Sequence, residues 1–138
     1  MICPLCGSDQ LTVTNSRSTK GDTQIWRRRN CLKCGFVFTT HEMIDLSHLI
    51  VIKRSGRKVK FSRAKLYSGI YHAVVGAKKI DRGDAGELAE KIMGEIEKII
   101  IKLKKKKIGT KEIKKIVLDY LKNRYRGHYL RYLAYFGN

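Results

Sequence analysis

The pentapeptide CPLCG at residues 3–7 recurs as CLKCG at residues 31–35, and these two copies contain all four cysteines of the 138-residue chain. A CxxC turn lets two thiolates reach one ion from a single tight loop, and two such loops complete a tetrahedral sulfur site. The 24 residues between the two pairs leave room for a pair of strands. The spacing therefore predicts a zinc ribbon with one Zn²⁺ per chain, bound by Cys3, Cys6, Cys31 and Cys34.

A glycine follows each cysteine pair, at Gly7 and Gly35, where it permits the positive φ of a metal-binding turn. Three other interpretations of the cysteines stay open at this point: a redox CxxC motif, an iron–sulfur or rubredoxin-like iron site, and a pair of disulfides. The duplication and the lack of a surrounding βαβ pattern disfavour the redox motif. Disulfides are rare inside cells, where we expect this chain to be.

The composition points to a polyanionic partner. The chain has 30 Lys and Arg residues against 12 Asp and Glu residues, a formal net charge of +18, which favours nucleic acid, nucleotide phosphates or anionic lipid. The alternative is a cell whose proteins are generally rich in Lys and Ile. Because no apolar run is long enough to span a membrane and no apolar signal core opens the chain, we expect a cytoplasmic protein.

The two parts of the chain differ in charge and in apolar content. Residues 1–48 hold six Lys/Arg and four acidic residues, and residues 49–138 hold 24 and eight. Only the second part has long Ile/Leu periodicity. We place a boundary near Asp45–His48 and predict two domains, residues 1–46 and 47–138, in a small α+β protein.

An arginine-rich segment lies between the two cysteine pairs. Thr23–Asn30 reads as a strand after a turn at Lys20-Gly21-Asp22. Alternation along a strand places Arg27 and Arg29 on one face, and Trp26 and Arg28 on the other. Arginine suits phosphate oxygens and guanine edges, so the segment favours nucleic-acid contact. The alternative is a solvated basic strand with Trp26 as a small core.

The second part begins with a predicted hairpin, Leu49–Lys53 and Lys58–Phe61, joined by a turn at residues 54–57. Ser62 is a predicted N-cap. Apolar residues at helical spacing then predict four helices. The first carries Leu66, Ile70, Ala73 and Val74, and the second, opened by Asp81 or Asp84, carries Leu88, Ile92, Ile96 and Leu103. The third follows Gly109-Thr110 with Ile113, Ile116, Val117, Tyr120 and Leu121, and the last, within His128–Phe136, carries Tyr129, Leu130, Tyr132 and Leu133.

Basic residues cluster at two places in this second part. Lys53 and Arg54 at the hairpin turn, with Lys60 and Lys65 nearby, form a cationic cradle of the kind that binds phosphates, although a basic hairpin edge that discourages strand aggregation explains them equally well. The run KLKKKK at residues 102–107 is most simply the solvated C-terminal end of the second helix, with a DNA-backbone role as the alternative.

Taken together, these motifs resemble the NrdR family, the transcriptional repressors of ribonucleotide reductase genes, which join a zinc ribbon to an ATP-cone. The resemblance covers nearly the whole chain. The matching segments are CPLCG, NSR (15–17), WRRRNCLKCGFVFTTHE (26–42), VIKRSGRKVKF (51–61), AKLYSGI (64–70) and YLRY (129–132). Asn30 departs from the family, which usually has a basic residue at that position.

The resemblance implies a function and a set of site residues. The ribbon would read a palindromic operator in double-stranded DNA, and the mainly α ATP-cone with its N-terminal β-hairpin would bind ATP or dATP as regulatory ligands. The bound nucleotide would set the state of a homo-oligomer in the cytoplasm, associated with the nucleoid. The implied DNA contacts are Arg17, Arg27, Arg28 and Arg29. The implied nucleotide contacts are Val51, Lys53, Arg54, Lys60, Lys65 and Tyr129.

Two other classes of function are weighed against a repressor. ATP-cones also occur in ribonucleotide reductases, but this sequence offers no general base, nucleophile pair or metal-binding carboxylates, so we expect no enzyme. The other alternative is a basic zinc-ribbon protein that binds RNA or DNA without sensing nucleotides.

Overall fold

A computed structural model describes residues 1–19, 21–76 and 80–137. The chain divides into two compact units, Met1–Ile44 and Asp45–Asn138. The first unit is a β-sheet, and the second joins a small sheet to four helices, which confirms the predicted α+β fold class. The division into domains of residues 1–46 and 47–138 stays a prediction about which segments fold independently.

The first unit is a three-stranded antiparallel sheet in which β2 lies between β1 and β3. The strands are β1 (Leu11–Thr19), β2 (Gln24–Cys31) and β3 (Val37–Met43). Gly21 and Asp22 take positive φ values of 63° and 65° in the turn between β1 and β2. Lys20 of the predicted turn lies outside the described residues. The predicted arginine strand is β2, shifted by one residue.

The first unit has almost no buried interior. Among its described residues, only Cys3 and Cys31 are buried, at 1% and 0% exposure. A sheet of three strands normally needs an apolar face packed against something else. Here the two buried side chains are the sulfur ligands themselves, so the sheet depends on what those sulfurs bind.

The second unit contains a mixed three-stranded sheet. A short 3-10 helix, Leu46–His48, leads into β4 (Ile50–Ile52), which pairs antiparallel with β5 (Lys58–Lys60) and parallel with β6 (Lys107–Gly109). The hairpin closes through a turn in which the N–H of Gly56 donates to the Lys53 carbonyl at 2.9 Å. The sequence predicted the hairpin but not β6.

Four helices complete the second unit. They are α1 (Arg63–Val75), α2 (Arg82–Lys102), α3 (Thr110–Arg124) and α4 (Arg126–Phe136). The predicted N-cap is confirmed, because the Ser62 hydroxyl accepts a hydrogen bond from the backbone N–H of Lys65. Asp81 is the N-cap residue of α2 but makes no side-chain capping bond. Within the described residues, no helix has the length and hydropathy to cross a membrane.

The core of the second unit draws on every helix and on the central strand. Its apolar side chains pack β4 and β6 against the helices, and α1 contacts both α2 and α4. The buried members include Leu49, Val51, Ile70, Val74, Ile92, Ile96, Ile108, Val117, Leu121 and Tyr132. This is an ordinary hydrophobic core, in contrast to the first unit.

The assignment of residues 102–107 to the end of the second helix was wrong. Helix α2 ends at Lys102, Leu103 is its C-cap, and Lys104 takes a φ of 54° that reverses the chain. Lys107 then begins β6. The reversal occurs because Ile108, only 1% exposed, packs into the core beside Val51. Leu103, predicted to lie on the apolar face of the helix, is 37% exposed.

An ion network joins the beginning of α1 to α2. The Arg63 guanidinium donates to Glu97 at 2.8 Å through Nε, and to both carboxylate oxygens of Glu90 at 2.7 and 3.1 Å. The Glu97 side chain is 11% exposed. A carboxylate this buried is costly unless it is paired, so Arg63 compensates a charge that α2 carries into the interior.

We predict that Arg63→Met lowers the free energy of unfolding of the second unit by about 1–3 kcal/mol, because it leaves Glu97 without its partner. Urea unfolding followed by helical circular dichroism measures this, since all described helices lie in the second unit. Glu95→Gln is the matched control, because it removes the i,i+3 pair with Lys98 and should cost less than about 1 kcal/mol. Equal losses in the two variants would contradict the assigned role of Arg63.

Candidate functional site

The four cysteine sulfurs converge on one point in the first unit. Sγ of Cys3 lies 3.7 Å from Sγ of Cys34, and Sγ of Cys6 lies 3.6 Å from Sγ of Cys31. All four sulfurs lie within 4.8 Å of one another. A tetrahedral site with metal–sulfur bonds of about 2.3 Å has sulfur–sulfur edges of about 3.8 Å. The cluster therefore fits one Zn²⁺, and all four cysteines are free of disulfides.

The two cysteine loops have the same backbone geometry. The N–H of Gly7 donates to the Cys3 carbonyl at 2.9 Å, and the N–H of Gly35 donates to the Cys31 carbonyl at 2.8 Å. The two glycines have φ values of +73° and +76°, which a side chain would strain. The predicted role of these glycines is confirmed: each lets its loop fold back so that both cysteines face the same centre.

Backbone amides favour the thiolate form of the two buried cysteines. The N–H of Cys34 is the largest influence on Cys31 and helps to lower its pKa to about 7. Burial raises the pKa of the Cys3 thiol, but the N–H groups of Cys6 and Leu5 outweigh it, and the pKa falls below its usual value. Zinc binds thiolates, so these amides prepare the site for the metal.

The pKa of the Cys34 thiol is shifted in the opposite direction from those of Cys3 and Cys31. The backbone N–H of Phe36 lowers the pKa of this thiol, but burial and the three neighbouring cysteine sulfurs together raise it to about 12. Four thiolates cannot share so small a volume without a cation to offset their repulsion. The electrostatics of the cluster thus agree with its geometry, because a cation bound at the centre would offset the repulsion among four thiolates.

The four predicted DNA-binding arginines lie on the sheet of the first unit, but on two different faces. Arg27 pairs with Glu42 at 2.6 Å, and Nε of Arg29 donates to the Thr40 hydroxyl at 2.9 Å. Both contacts lie on the face of β2 that the alternation of the strand predicted for this pair.

The opposite face of the sheet carries Trp26 with the other two arginines. The Arg17 guanidinium lies 4.5 Å from the centre of the Trp26 ring, and these residues are paired in the register of β1 and β2. Arg28 is exposed, and in the described part of the chain its guanidinium makes no ion pair or hydrogen bond. This face therefore presents the Trp26 ring, the Arg17 guanidinium stacked on it, and the Arg28 guanidinium, which has no partner in the described part of the chain.

The predicted nucleotide-binding residues line two adjoining clefts of the second unit. Val51, Lys53, Lys60 and Lys65 line a cleft of about 280 Å³. Arg54 and Tyr129 line a second cleft of about 360 Å³. Thr110 and Lys114 line both clefts, so the two adjoin each other at the beginning of α3. These volumes are of the size that a small ligand occupies.

The two clefts contain both cations and aromatic rings. Phosphate oxygens would find lysine and arginine side chains, and a purine base would find the Tyr132 and Phe136 rings, whose centroids are 5.0 Å apart. Tyr132 is buried, and burial raises the pKa of its hydroxyl to about 12. Asp119 is the one acid among the residues that line the two clefts.

Sequence reasoning missed Thr110 and Lys114 as cleft residues. The Thr110 hydroxyl donates to the Ile52 carbonyl at 3.2 Å and so ties the first turn of α3 to β4. Lys114 lies one turn further along the helix and shares its face. A Gly-Thr helix start followed by lysine four residues later was a visible signal, but its position beside the hairpin depends on β6.

Two family profiles match the chain, one in each unit. The profile described as "Transcriptional repressor NrdR-like, N-terminal domain" matches residues 1–42. The profile described as "ATP cone domain" matches residues 49–136. The predicted zinc ribbon and ATP-cone are both confirmed, and with them Zn²⁺ and a regulatory nucleotide as the ligands of these two modules.

Curated relatives named Transcriptional repressor NrdR are similar over nearly all of the chain. The Microcystis aeruginosa protein is 34% identical over 138 residues, which are 100% of this chain and 78% of that protein. A Thermoanaerobacter protein is 36% identical over 134 residues, 97% and 82% of the two chains. The Kosmotoga olearia protein is 33% identical with the same coverage. These are names of repressors, which confirms the predicted non-enzymatic role.

We predict that removal of the metal unfolds the first unit and leaves the second folded. The described residues of the first unit form no apolar interior that could replace the metal crosslink, whereas the second unit has its own core. Trp26 is the only tryptophan of the chain and reports on the first unit, and helical circular dichroism reports on the second. Incubation with a chelator should therefore change tryptophan fluorescence while the helical signal stays constant.

The Cys34→Ser variant should behave like the chelated protein and should contain less zinc by elemental analysis. Zinc added back should restore the fluorescence of the chelated wild type but not that of the variant. Unchanged tryptophan fluorescence after complete loss of zinc would contradict the assignment of the metal as the core of the first unit.

Proposed function

Because the chain belongs to the NrdR family of transcriptional repressors, we propose that it represses ribonucleotide reductase genes by binding double-stranded DNA under the control of adenine nucleotides. The observation that carries this proposal is the presence in one chain of a zinc-ribbon unit with an arginine-bearing sheet and an ATP-cone unit with a cationic cleft. Neither unit alone would link DNA binding to a nucleotide.

In this proposal Cys3, Cys6, Cys31 and Cys34 hold one Zn²⁺. The ion supplies a fixed crosslink between the two cysteine loops and takes no part in a reaction. Because Cys31 is the last residue of β2, the crosslink also anchors the strand that carries three of the proposed DNA-binding arginines. Metal binding and DNA binding are therefore coupled through one strand.

Arg17, Arg27, Arg28 and Arg29 are the proposed DNA contacts. Arg28 and the stacked Arg17 flank Trp26 on one face, which suits insertion of a β-ribbon into a groove. Arg27 and Arg29 already have partners, Glu42 and Thr40, and would have to exchange or share them to reach DNA. We therefore expect the face with Trp26 to contribute more of the affinity.

Val51, Lys53, Arg54, Lys60, Lys65 and Tyr129 are the proposed nucleotide contacts. Lys53 and Arg54 follow β4 at the hairpin turn, and Lys65 lies in the first turn of α1. A triphosphate between these elements would join the hairpin to the helices through charge-assisted hydrogen bonds. ATP and dATP differ at the ribose, so discrimination between them would depend on contacts to the sugar.

The proposed switch is a linkage between nucleotide binding and assembly. One sheet contacts few phosphates, so useful affinity requires two or more ribbons of a homo-oligomer on a palindromic operator. Avidity of this kind raises affinity by roughly 10²–10⁴-fold. If dATP favours the DNA-competent oligomer over the ATP-bound one, repression follows the supply of deoxynucleotides. The protein would then act in the cytoplasm, associated with the nucleoid.

The strongly basic second unit favours one competing function, a zinc-ribbon protein that binds RNA or DNA without sensing nucleotides. Gel shifts with duplex DNA and with RNA, each with and without dATP, separate the two. A repressor should prefer duplex DNA and respond to dATP. Tight RNA binding that ignores nucleotide would select the competing function.

We predict that Arg28→Ala weakens operator binding by about tenfold or more, since a guanidinium paired with a base edge or phosphate contributes about 1–3 kcal/mol. Fluorescence anisotropy with an operator duplex measures the loss. Arg27→Ala is the matched control on the opposite face, and we expect a smaller loss because Arg27 already pairs with Glu42. ATP binding should be unchanged in both variants.

We predict that Lys53→Ala weakens ATP binding by about ten- to a hundredfold, the effect of one charge-assisted hydrogen bond of about 1.5–3 kcal/mol. Isothermal titration calorimetry measures the affinity, and light scattering with ATP, dATP or no ligand measures the oligomer. Lys91→Ala removes an exposed charge from α2 outside both clefts and should change neither. A Lys53→Ala protein with wild-type affinity and wild-type oligomers would refute the proposed site.

A further inference from the structure

Residues 102–107, here called the lysine turn, form an exposed and well-defined platform. All six residues are exposed, and five of them are lysines. Backbone hydrogen bonds hold the turn at both ends: the N–H of Lys104 donates to the Ile101 carbonyl at 3.1 Å, and the N–H of Ile50 donates to the Lys106 carbonyl at 3.0 Å. Buried Ile100 and Ile108 flank it. The lysines are thus presented by fixed backbone.

The charge of the lysine turn is largely uncompensated. No acidic residue occurs between Lys98 and Lys111. Lys105 pairs with Glu112, but in the described part of the chain the other four lysines have no acidic partner. By contrast, a charged residue with a structural role elsewhere in the second unit has an ionic partner, as Arg63 has in Glu97.

Structural roles explain only some of the five lysines in the lysine turn. Lys102 is enough to complement the negative end of the α2 dipole, and Lys107 is enough to protect the edge strand β6 from pairing with another chain. Lys104 stands at a φ of 54°, where glycine or asparagine would be less strained. A lysine held in this conformation, together with Lys106, which has no acidic partner among the described residues, indicates a role for the charge itself.

We propose that the lysine turn is a second DNA contact of this chain, which binds backbone phosphates without reading sequence. The proposal rests on the proposed function, and it adds a surface that neither the zinc ribbon nor the nucleotide clefts include, since none of the six residues lines either cleft. Lysine is a flexible point charge and suits phosphates better than base edges.

A duplex backbone fits this surface better than a small anion or a membrane. All six residues are exposed and none of them lines either cleft, so the turn offers no enclosed site for a single small ligand. Its only apolar side chain is Leu103, which is too little for insertion into a bilayer. A duplex presents a line of phosphates, and each phosphate that a lysine neutralises adds about 0.9 to the negative slope of log affinity against log salt.

The test uses the full chain with the triple variant Lys104→Gln, Lys106→Gln and Lys107→Gln. Fluorescence anisotropy measures the affinity for a random-sequence duplex over a series of KCl concentrations. We expect the magnitude of the salt slope to fall by about 2–3, one contact per lysine. The control removes the same charge elsewhere, by Arg82→Gln, Lys91→Gln and Arg126→Gln, and should change the slope by less than one contact.

Two outcomes would overturn the proposal: an unchanged slope in the triple variant, or an equal change in the control. If the slope is unchanged and the triple variant also loses binding to phosphatidylserine vesicles, the turn is assigned to a membrane. If the triple variant fails to fold, as judged by circular dichroism and ATP binding, the single variants Lys106→Gln and Lys107→Gln must each lower the slope by about 0.9.

Failure here can be told apart from failure of the proposed function. The preference for operator over random duplex, and its loss in Arg28→Ala, tests the ribbon and does not depend on the lysine turn. A protein that keeps this preference while the triple variant has a wild-type slope would refute only the second contact.

Discussion

The structure of the first unit depends on the convergence of four sulfurs. Among the residues described, this unit buries no side chain other than Cys3 and Cys31, so the free energy that a hydrophobic core would provide has to come from metal ligation. The amides that favour the thiolates belong to the same turns that bring the cysteines together. Folding, metal binding and the placement of the arginine strand are therefore one event in this unit.

The second unit is stabilised by a hydrophobic core, in contrast to the metal-dependent first unit. A hydrophobic core holds its helices and its small sheet, which leaves the edge between the hairpin, α1 and α3 free to carry charge without loss of stability. Both clefts open at this edge, where Thr110 ties α3 to β4. A ligand that joined the hairpin to α3 would rigidify the junction, which is the physical means of the proposed linkage between nucleotide binding and assembly.

The positive charges of the chain fall into groups with different physical roles. Arg63 is paired with carboxylates of α2 and contributes to stability, whereas Arg27 pairs with Glu42 at the surface of the first unit. The cations of the clefts surround a cavity that suits phosphates. Arg28 and most of the lysine turn have no acidic partner in the described residues, and these are charges that we propose contact DNA. In the proposed function, the net charge of +18 serves stability, nucleotide binding and nucleic-acid binding.

The sequence by itself determined the features that depend on local geometry. Two CxxCG motifs are enough to predict a sulfur site, strand alternation is enough to separate Arg27 from Arg28, and Ser62 before an apolar helical period is enough to predict a cap. Only the tertiary structure decided the features that depend on distant pairing. Strand β6 joins β4 across more than fifty residues of sequence, and that pairing ends α2 at Lys102, exposes the lysine turn and brings Thr110 and Lys114 to the clefts. Parallel pairing leaves almost no local signal in three residues, because its stability comes from the burial of Ile108 against a core that forms only when the whole unit folds.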